Sequence, residues 1–155
     1  MRRPVNEIKL RFPSRSANEG FARAAVACFA AQLDPTLDEL GDIKTAVSEA
    51  VTNCIVHAYP DCLGDIRMRV RIFPDGCLEI VVSDRGCGIT DVEQARQPMF
   101  TTGGTERAGM GFCIMESFMD TLRVRSRPGV GTTVTMSRRL RARLSANAAP
   151  GGPSD

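Results

Sequence analysis

The feature that most constrains the fold of this chain is an apolar repeat at helical spacing between residues 43 and 58. Its members are Ile43, Val47, Ala50, Val51, Cys54 and Ala58. Steps of three and four residues predict a helix with one face in the core. Glu49 and Asn53 are four apart, so they lie one above the other beside that face. They could share a hydrated Mg²⁺, which needs only one or two protein oxygens; a solvated polar stripe is the commoner outcome for such a pair alone.

Length and composition predict one soluble globular domain. The chain has 155 residues, of which 43% are hydrophobic and 25% charged. A net charge of +2 with no Trp and one Tyr gives no indication of nucleic-acid binding. Residues 1–12 are not a secretion signal, and no run reaches the length of a membrane span. The six cysteines have no metal-binding or redox-pair spacing, so we expect a reducing, cytoplasmic setting without membrane contact.

Periodicity predicts the order β-α-α-β-β-loop-α-β-β. Strands are expected at residues 5–12, 65–73, 77–83, 121–127 and 132–139, and a short apolar helix at 112–119. Two capping boxes, Ser16 with Glu19 and Thr36 with Glu39, open helices that reach Leu33 and about residue 57.

For the first helix we expect a buried face, and for the second a break near Gly41 is left open. The expected buried residues are Phe21, Ala25, Cys28 and Phe29. Helices on one face of a mixed, mostly antiparallel sheet make an α+β, two-layer sandwich. Residues 1–141 are predicted to form the domain and residues 142–155 a disordered tail.

The strand at residues 65–73 carries a row of arginines opposite its apolar face. Arg67, Arg69 and Arg71 alternate with aliphatic residues. The row is either an anion-binding patch or a solvated sheet face, and the solvated face is the commoner case.

Three glycine-containing segments follow the central strands. Asp84-Arg85-Gly86-Cys87-Gly88 comes directly after a buried strand, where a carboxylate can accept a hydrogen bond from the exocyclic amine of a base. An ordinary strand-end turn looks the same. Gly109-Met110-Gly111 leads into the helix at 112–119, where free N–H groups would suit phosphate, although a flexible loop is an equal alternative. Gly131 and Thr132 open the last strand.

The order of these motifs resembles the gyrase, histidine kinase and MutL ATPase superfamily, whose fold is the Bergerat fold. Within it, the segments SEAVTNCIVHAY, ARQPMFTT and ERAGMGFCIMESFMD are similar to those of the sporulation anti-sigma F family, which are small serine kinases. The resemblance covers about residues 1–141. Ala58 stands where Gly is usual, and the glycine-rich lid is about two residues short.

The resemblance implies a role for each site residue. Glu49 would be the general base, near Mg²⁺ through water, and Asn53 would ligate Mg²⁺. Asp84 would read adenine, with Thr132 acting through water. Gly86 and Gly88 would form the turn beside the base. Arg107 would contact the γ-phosphate, and Arg23 would contact protein partners. The ATP lid would include Thr101, Thr102, Gly109, Met110 and Gly111.

The resemblance also implies a function and partners. A homodimer, formed on the side of the first strand, would use ATP and Mg²⁺, inhibit a sigma factor of the sigma F type, and phosphorylate an anti-anti-sigma protein on serine. Alternatives are a switch kinase for a general-stress sigma factor, or a nucleotide-gated binding module without kinase activity. A histidine kinase with its own phosphoacceptor hairpin does not fit, because the chain's one histidine, His57, lies in the ATP-site helix.

Overall fold

The computed structural model describes residues 2–89, 91–96 and 105–140, and within them it contains each predicted strand and helix. In chain order the elements are β1 Asn6–Pro13, α1 Ala17–Ala30, α2 Leu37–Asn53, β2 Asp65–Ile72, β3 Cys77–Asp84, α3 Val92–Ala95, α4 Thr105–Phe118, β4 Thr121–Arg127 and β5 Gly131–Arg139. The predicted α+β class is confirmed. Residues 141–155, which include the expected tail at 142–155, lie outside the described part, so the division into domain and tail stays a prediction.

The strands form one sheet in the order β1-β2-β3-β5-β4. Every pairing between these strands is antiparallel, so the sheet is not mixed as expected. Because β5 inserts between β3 and β4, Asp84 at the end of β3 lies directly opposite Thr132 near the start of β5. Two motifs that are 48 residues apart in sequence are therefore neighbours at one end of the sheet.

The helices cover one face of this sheet and enclose the core. The repeat that predicted α2 is buried, with Ile43, Val47 and Val51 all at 0% exposure. They pack on the alternating residues of the central strands, including Val70 and Ile80. None of the helices in the described residues is long and apolar enough to cross a membrane.

The start of α1 differs from the sequence prediction. Ser16 makes no side-chain cap, and Glu19 instead accepts hydrogen bonds from Arg23 at 3.1 Å and from Ser48 at 2.5 Å. The predicted buried face is also wrong in part, since Phe21 is 57% exposed and Cys28 is exposed. The helix buries Ala22, Val26, Phe29 and Ala30. Glu19 thus bonds Ser48 on α2 and does not form the predicted capping box. Such a contact between helices cannot be read from periodicity alone.

The predicted capping box at Thr36 and Glu39 is confirmed, with both reciprocal hydrogen bonds present. From there α2 runs without a break through Gly41. The helical geometry changes at Asn53, where one π-helical turn, Cys54–Ala58, follows. π-helical turns are rare and often occur at functional sites. Here the turn lies beside the end of β3.

Candidate functional site

Asp84 is the anchor of a cluster at the end of β3. Its Oδ1 accepts backbone N–H groups from Gly86 at 2.9 Å and from Thr132 at 3.2 Å. Its Oδ2 accepts the Cys54 thiol at 3.5 Å. The two backbone donors occupy Oδ1, while Oδ2 keeps a lone pair for a further donor such as the amine of a base.

The surroundings of Asp84 shift the pKa values of its own carboxyl and of the Cys54 thiol. Burial raises the pKa of this carboxyl above its usual value, while the hydrogen bonds from Gly86, Cys54 and Thr132 act in the opposite direction. Burial, followed by the charge of Asp84, raises the pKa of the Cys54 thiol well above its usual value. Cys54 is therefore a neutral S–H donor. We expected it to be only a small core residue.

Thr132 supports Asp84 through its backbone. Its hydroxyl lies 2.8 Å from the Ser126 hydroxyl on β4, while its N–H holds the carboxylate. Ser126 also accepts the Ile89 N–H at 2.7 Å and so ties the turn after β3 to the sheet. The expected water-mediated role of Thr132 at the base stays a prediction. Ser126 had no sequence signal, since only the β4–β5 register places it here.

Gly86 and Gly88 are required by the close packing of the turn. A Cβ on Gly86 would lie 2.3 Å from the Ala58 carbonyl oxygen. Gly88 has φ +76°, and a Cβ there would lie 2.1 Å from the Arg127 carbonyl oxygen. Both glycines let the turn pass between the π-helical turn and the β4–β5 hairpin. Their contact with a base, implied by the resemblance, stays a prediction.

Tyr59 fixes the same turn from the other side. Its hydroxyl accepts the Arg85 N–H at 2.6 Å and donates to the Asp65 carbonyl at 2.8 Å. The ring is buried. Sequence reasoning gave Tyr59 no role. Its status as the only tyrosine, next to the helix that carries Glu49 and Asn53, was the one available signal.

Asn53 and Glu49 meet α4 at Gly111. A Cβ on Gly111 would lie 3.1 Å from Glu49 Oε1 and 3.3 Å from both Asn53 Oδ1 and Nδ2. Both polar atoms of the Asn53 side chain are buried, and neither has a hydrogen-bond partner among the described residues. Leaving a buried amide unpaired costs roughly 1–3 kcal/mol per group. Such an orphaned amide is typical of a site that binds a ligand.

The donor set fits Mg²⁺. Asn53 Oδ1 is a carboxamide oxygen without a competing partner, and the Glu49 carboxylate lies on the same stripe of α2. Hard oxygen donors in this small number are what Mg²⁺ takes when phosphates and water complete its shell. No cluster of three or more His, Cys, Asp or Glu in the part of the chain that the structure describes could hold a metal alone.

Helix α4 begins earlier than the sequence predicted. It starts at Thr105, so Gly109, Met110 and Gly111 lie within the helix and not before its first turn. Glycines are poor helix formers, and the prediction followed that propensity. The close approach of α4 to α2 at Gly111 explains why a glycine is accepted inside this helix.

The other lid residues are only partly placed. Arg107 and Gly109 belong to α4, and Met110 is 53% exposed. Thr101 and Thr102 lie outside the described residues. The implied roles of all these residues stay predictions.

Arg23 lies next to the candidate site through Ser48. Its guanidinium donates to Ser48 Oγ at 3.3 Å and to Glu19 at 3.1 Å, while 42% of its side chain stays exposed. Ser48 precedes Glu49 in α2. The expected partner-contacting residue thus bonds the residue that precedes the expected general base in the sequence.

Comparison with known proteins identifies the family. The family model of the histidine kinase-like ATPase domain matches residues 12–138. An anti-sigma F factor of Pasteuria penetrans is 58% identical over 139 residues, which cover 88% of this chain and 93% of that protein. This chain belongs to the anti-sigma F factor family. The anti-sigma F factor of Bacillus subtilis strain 168 is 52% identical over 87% of this chain and 93% of its own length.

Solved structures agree with this fold. A structure with RsbU and RsbW domains from Mycobacterium tuberculosis superposes with a TM-score of 0.65 at 22% identity, over 88% of this chain and 32% of that one. The histidine kinase domain of a blue-light-activated kinase from Erythrobacter litoralis gives 0.54 at 20% identity, over 84% of this chain and 64% of that one. The resemblance seen in the motifs is confirmed, and the ATPase domain implies a nucleotide-binding site.

Proposed function

We propose that this chain is an ATP-dependent protein serine kinase and anti-sigma factor. It would bind and inhibit a sporulation sigma factor of the sigma F type and phosphorylate an anti-anti-sigma protein on serine. One observation carries the proposal: two consecutive residues reach two polar clusters. The unpaired amide of Asn53 lies beside Gly111, while the Cys54 thiol donates to the carboxylate of Asp84.

The nucleotide would lie across these two clusters. Asp84 Oδ2 would accept the exocyclic amine of adenine, with Oδ1 held by Gly86 and Thr132. Asn53 Oδ1 would hold Mg²⁺, which when bound neutralises phosphate charge during transfer. Arg107 and the lid residues Thr101 and Thr102 would complete the phosphate side.

Glu49 would accept the proton of the incoming serine hydroxyl. Its carboxylate lies within 3.1 Å of the position a Cβ on Gly111 would take, so it faces the gap between α2 and α4. A general base needs only hydrogen-bond reach to the hydroxyl it deprotonates. We expect it to approach Mg²⁺ through water, because a carboxylate oxygen that ligates the cation directly is a poorer proton acceptor.

The partner assignment is supported by the names of the relatives and by the position of Arg23. Relatives at 52% and 58% identity are anti-sigma F factors. The half-exposed Arg23 side chain would contact the sigma factor. β1 is an edge strand of the sheet, and a homodimer would form on its outer side.

Label transfer from [γ-³²P]ATP to a candidate anti-anti-sigma protein tests the proposal. We expect wild type to label the partner on serine and Glu49→Gln to lose transfer by at least about 10²-fold, the lower range for loss of a general base. Nucleotide and sigma binding should be retained. Glu116→Gln on the exposed surface of α4 makes the same chemical change and should transfer normally.

The same assay distinguishes the alternative functions. If wild type binds ATP and a sigma factor but labels no partner, the chain is a nucleotide-gated binding module. If Glu49→Gln labels the partner as fast as wild type, Glu49 is not the base. Pull-down with sigma F and with a general-stress sigma factor separates the two sigma classes.

A further inference from the structure

The sheet face turned away from the helices carries two transverse rows of basic residues. Antiparallel register places Arg11, Arg67, Ser83, Thr133 and Arg125 side by side in one row. It places Lys9, Arg69, Val81, Thr135 and Arg123 in the next. In both rows, smaller residues on β3 and β5 lie between cations on either side. We call this surface the basic trough.

The charges of the basic trough are poorly compensated. Lys9 lies directly opposite Arg69, and Arg11 opposite Arg67, although like charges facing each other across a strand pair are destabilising. Arg11 pairs with Asp65. Among the described residues, no carboxylate forms an ion pair with Lys9, Arg67 or Arg69.

The next row of the same face shows what a compensated row looks like. Arg71 contacts Glu79 at 2.6 Å and Glu7 at 3.9 Å, so its charge is balanced from both neighbouring strands. In the two rows of the basic trough, by contrast, Arg11 is the one cation with an acidic partner among the described residues. The uncompensated rows are therefore candidates for a ligand that brings negative charge.

A cavity of ≈ 640 Å³ lies on the β1 side of the basic trough. Its lining includes Lys9, Arg11, Arg67, Arg69, Ser83 and Thr133. The Arg69 Nε atom is buried there and has no hydrogen-bond partner within the described chain. An unpaired guanidinium donor is costly, and a carboxylate bound in the cavity would supply an acceptor once the Arg69 side chain turns toward it.

We propose that the basic trough binds an acidic segment of a partner protein. Arg67 and Arg69 are two residues apart on one strand, which places their side chains about 7 Å apart on the same face. An extended segment with carboxylates at alternate positions has the same spacing, so each could meet one guanidinium. This site lies on the opposite face of the sheet from Asp84, so the inference goes beyond the proposed function.

Two other occupants fit the surface less well. A second copy of this chain would bring the same uncompensated cations, so face-to-face pairing would add repulsion. Single-stranded nucleic acid would require a stacking platform, and neither row of the basic trough contains an aromatic residue. Charge and composition together favour carboxylates on a polypeptide.

The test uses a short labelled peptide of alternating Asp and Thr, with fluorescence anisotropy at low salt. Wild type should bind it, and the double variant Arg67→Gln/Arg69→Gln should bind at least about tenfold more weakly, a loss of ~1.4 kcal/mol. Arg2→Gln/Arg3→Gln removes the same charge elsewhere and should bind like wild type. A peptide of alternating Asn and Thr should not bind.

Three results would overturn the proposal. One is equal peptide affinity for the two double variants, which would mean nonspecific attraction. Another is tighter binding of an oligothymidylate than of the peptide, again lost in Arg67→Gln/Arg69→Gln. The third is sedimentation showing a dimer that this double variant abolishes, so that a second copy covers the face. ATP affinity should be unchanged in both variants, which separates this test from the proposed kinase function.

Discussion

Asp84 is a half-buried carboxylate at the end of β3, and its ionisation costs folding energy. Burial raises its pKa above the unfolded value of about 3.9. A raised pKa in the folded state means that the ionised form destabilises the fold near neutral pH. This penalty disappears as the pH falls through the raised pKa.

Asp84→Asn should therefore separate stability from binding. At pH 7 we expect the variant to be at least as stable as wild type, with the stability difference between the two shrinking as the pH is lowered. Nucleotide affinity should fall at least about tenfold, since an amide can present N–H to the adenine amine where a carboxylate accepts. Thermal unfolding across pH and calorimetry with ATP measure both; lower stability at pH 7 would contradict the burial argument.

Cys54 is predicted to hold Asp84 in position. Cys54→Ala removes the S–H donor and should weaken ATP binding about two- to fivefold, in keeping with one hydrogen bond of ~0.5–1 kcal/mol. Cys54→Ser retains a donor and should recover most of the affinity. Equal affinities for the Ala and Ser variants would show that the thiol only fills space.

Single residues also show how far sequence reasoning reaches. Asp84, Asn53 and Glu49 were identifiable because each has a characteristic residue type at a characteristic spacing. Ser126 and the hydrogen-bonding role of Cys54 were not, because they depend on which strand lies beside which. That information is in the β3–β5 register, not in either segment alone.

Among the elements, the contact between α2 and α4 is the one that shapes the site. Gly111→Ala would favour α4 by ~1 kcal/mol from helix propensity. The new methyl group would lie 3.1 Å from Glu49 Oε1 and 3.3 Å from the Asn53 amide. We expect little loss of stability but weaker binding of Mg-ATP, because the methyl group occupies space beside the orphaned amide.

Gly41→Ala is the matched control for that variant. Gly41 lies inside α2, and a Cβ there would meet nothing within 4 Å. Gly41→Ala should gain ~1 kcal/mol of stability from helix propensity, which the melting temperature measures. It should leave Mg-ATP affinity unchanged. Equal affinities for Gly41→Ala and Gly111→Ala would show that the α2–α4 contact does not shape the metal site.

Element boundaries were predictable where local signals agreed with packing. The Thr36–Glu39 capping box formed as predicted, and its two side chains bond each other's backbone N–H groups. The Ser16 box did not form, because the Glu19 carboxylate accepts hydrogen bonds from Arg23 and from Ser48 on α2. The start of α4 was missed since glycine propensity argued for a loop where packing against α2 favours a helix.

For the whole molecule, the α+β class and the element order followed from periodicity and turn residues. The strand order did not, since nothing local says that β5 inserts between β3 and β4. Periodicity could not predict that the separate motifs lie near one another. That expectation came from the resemblance to ATPases. The structure brings Glu49 and Asn53 to Gly111, and it brings Cys54 and Thr132 to Asp84. Asn53 and Cys54 are consecutive and link the two clusters, while Thr101 and Thr102 lie outside the described residues.

Calorimetric titration of ATP, with Mg²⁺ and with a chelator, tests most directly that these segments form one magnesium–nucleotide site. Wild type should bind one nucleotide per chain and lose at least about tenfold in affinity when Mg²⁺ is removed. Asn53→Ala should bind weakly and to the same extent in both conditions. If Asn53→Ala kept the full dependence on Mg²⁺, or wild type took up no nucleotide, the account of this site would be wrong.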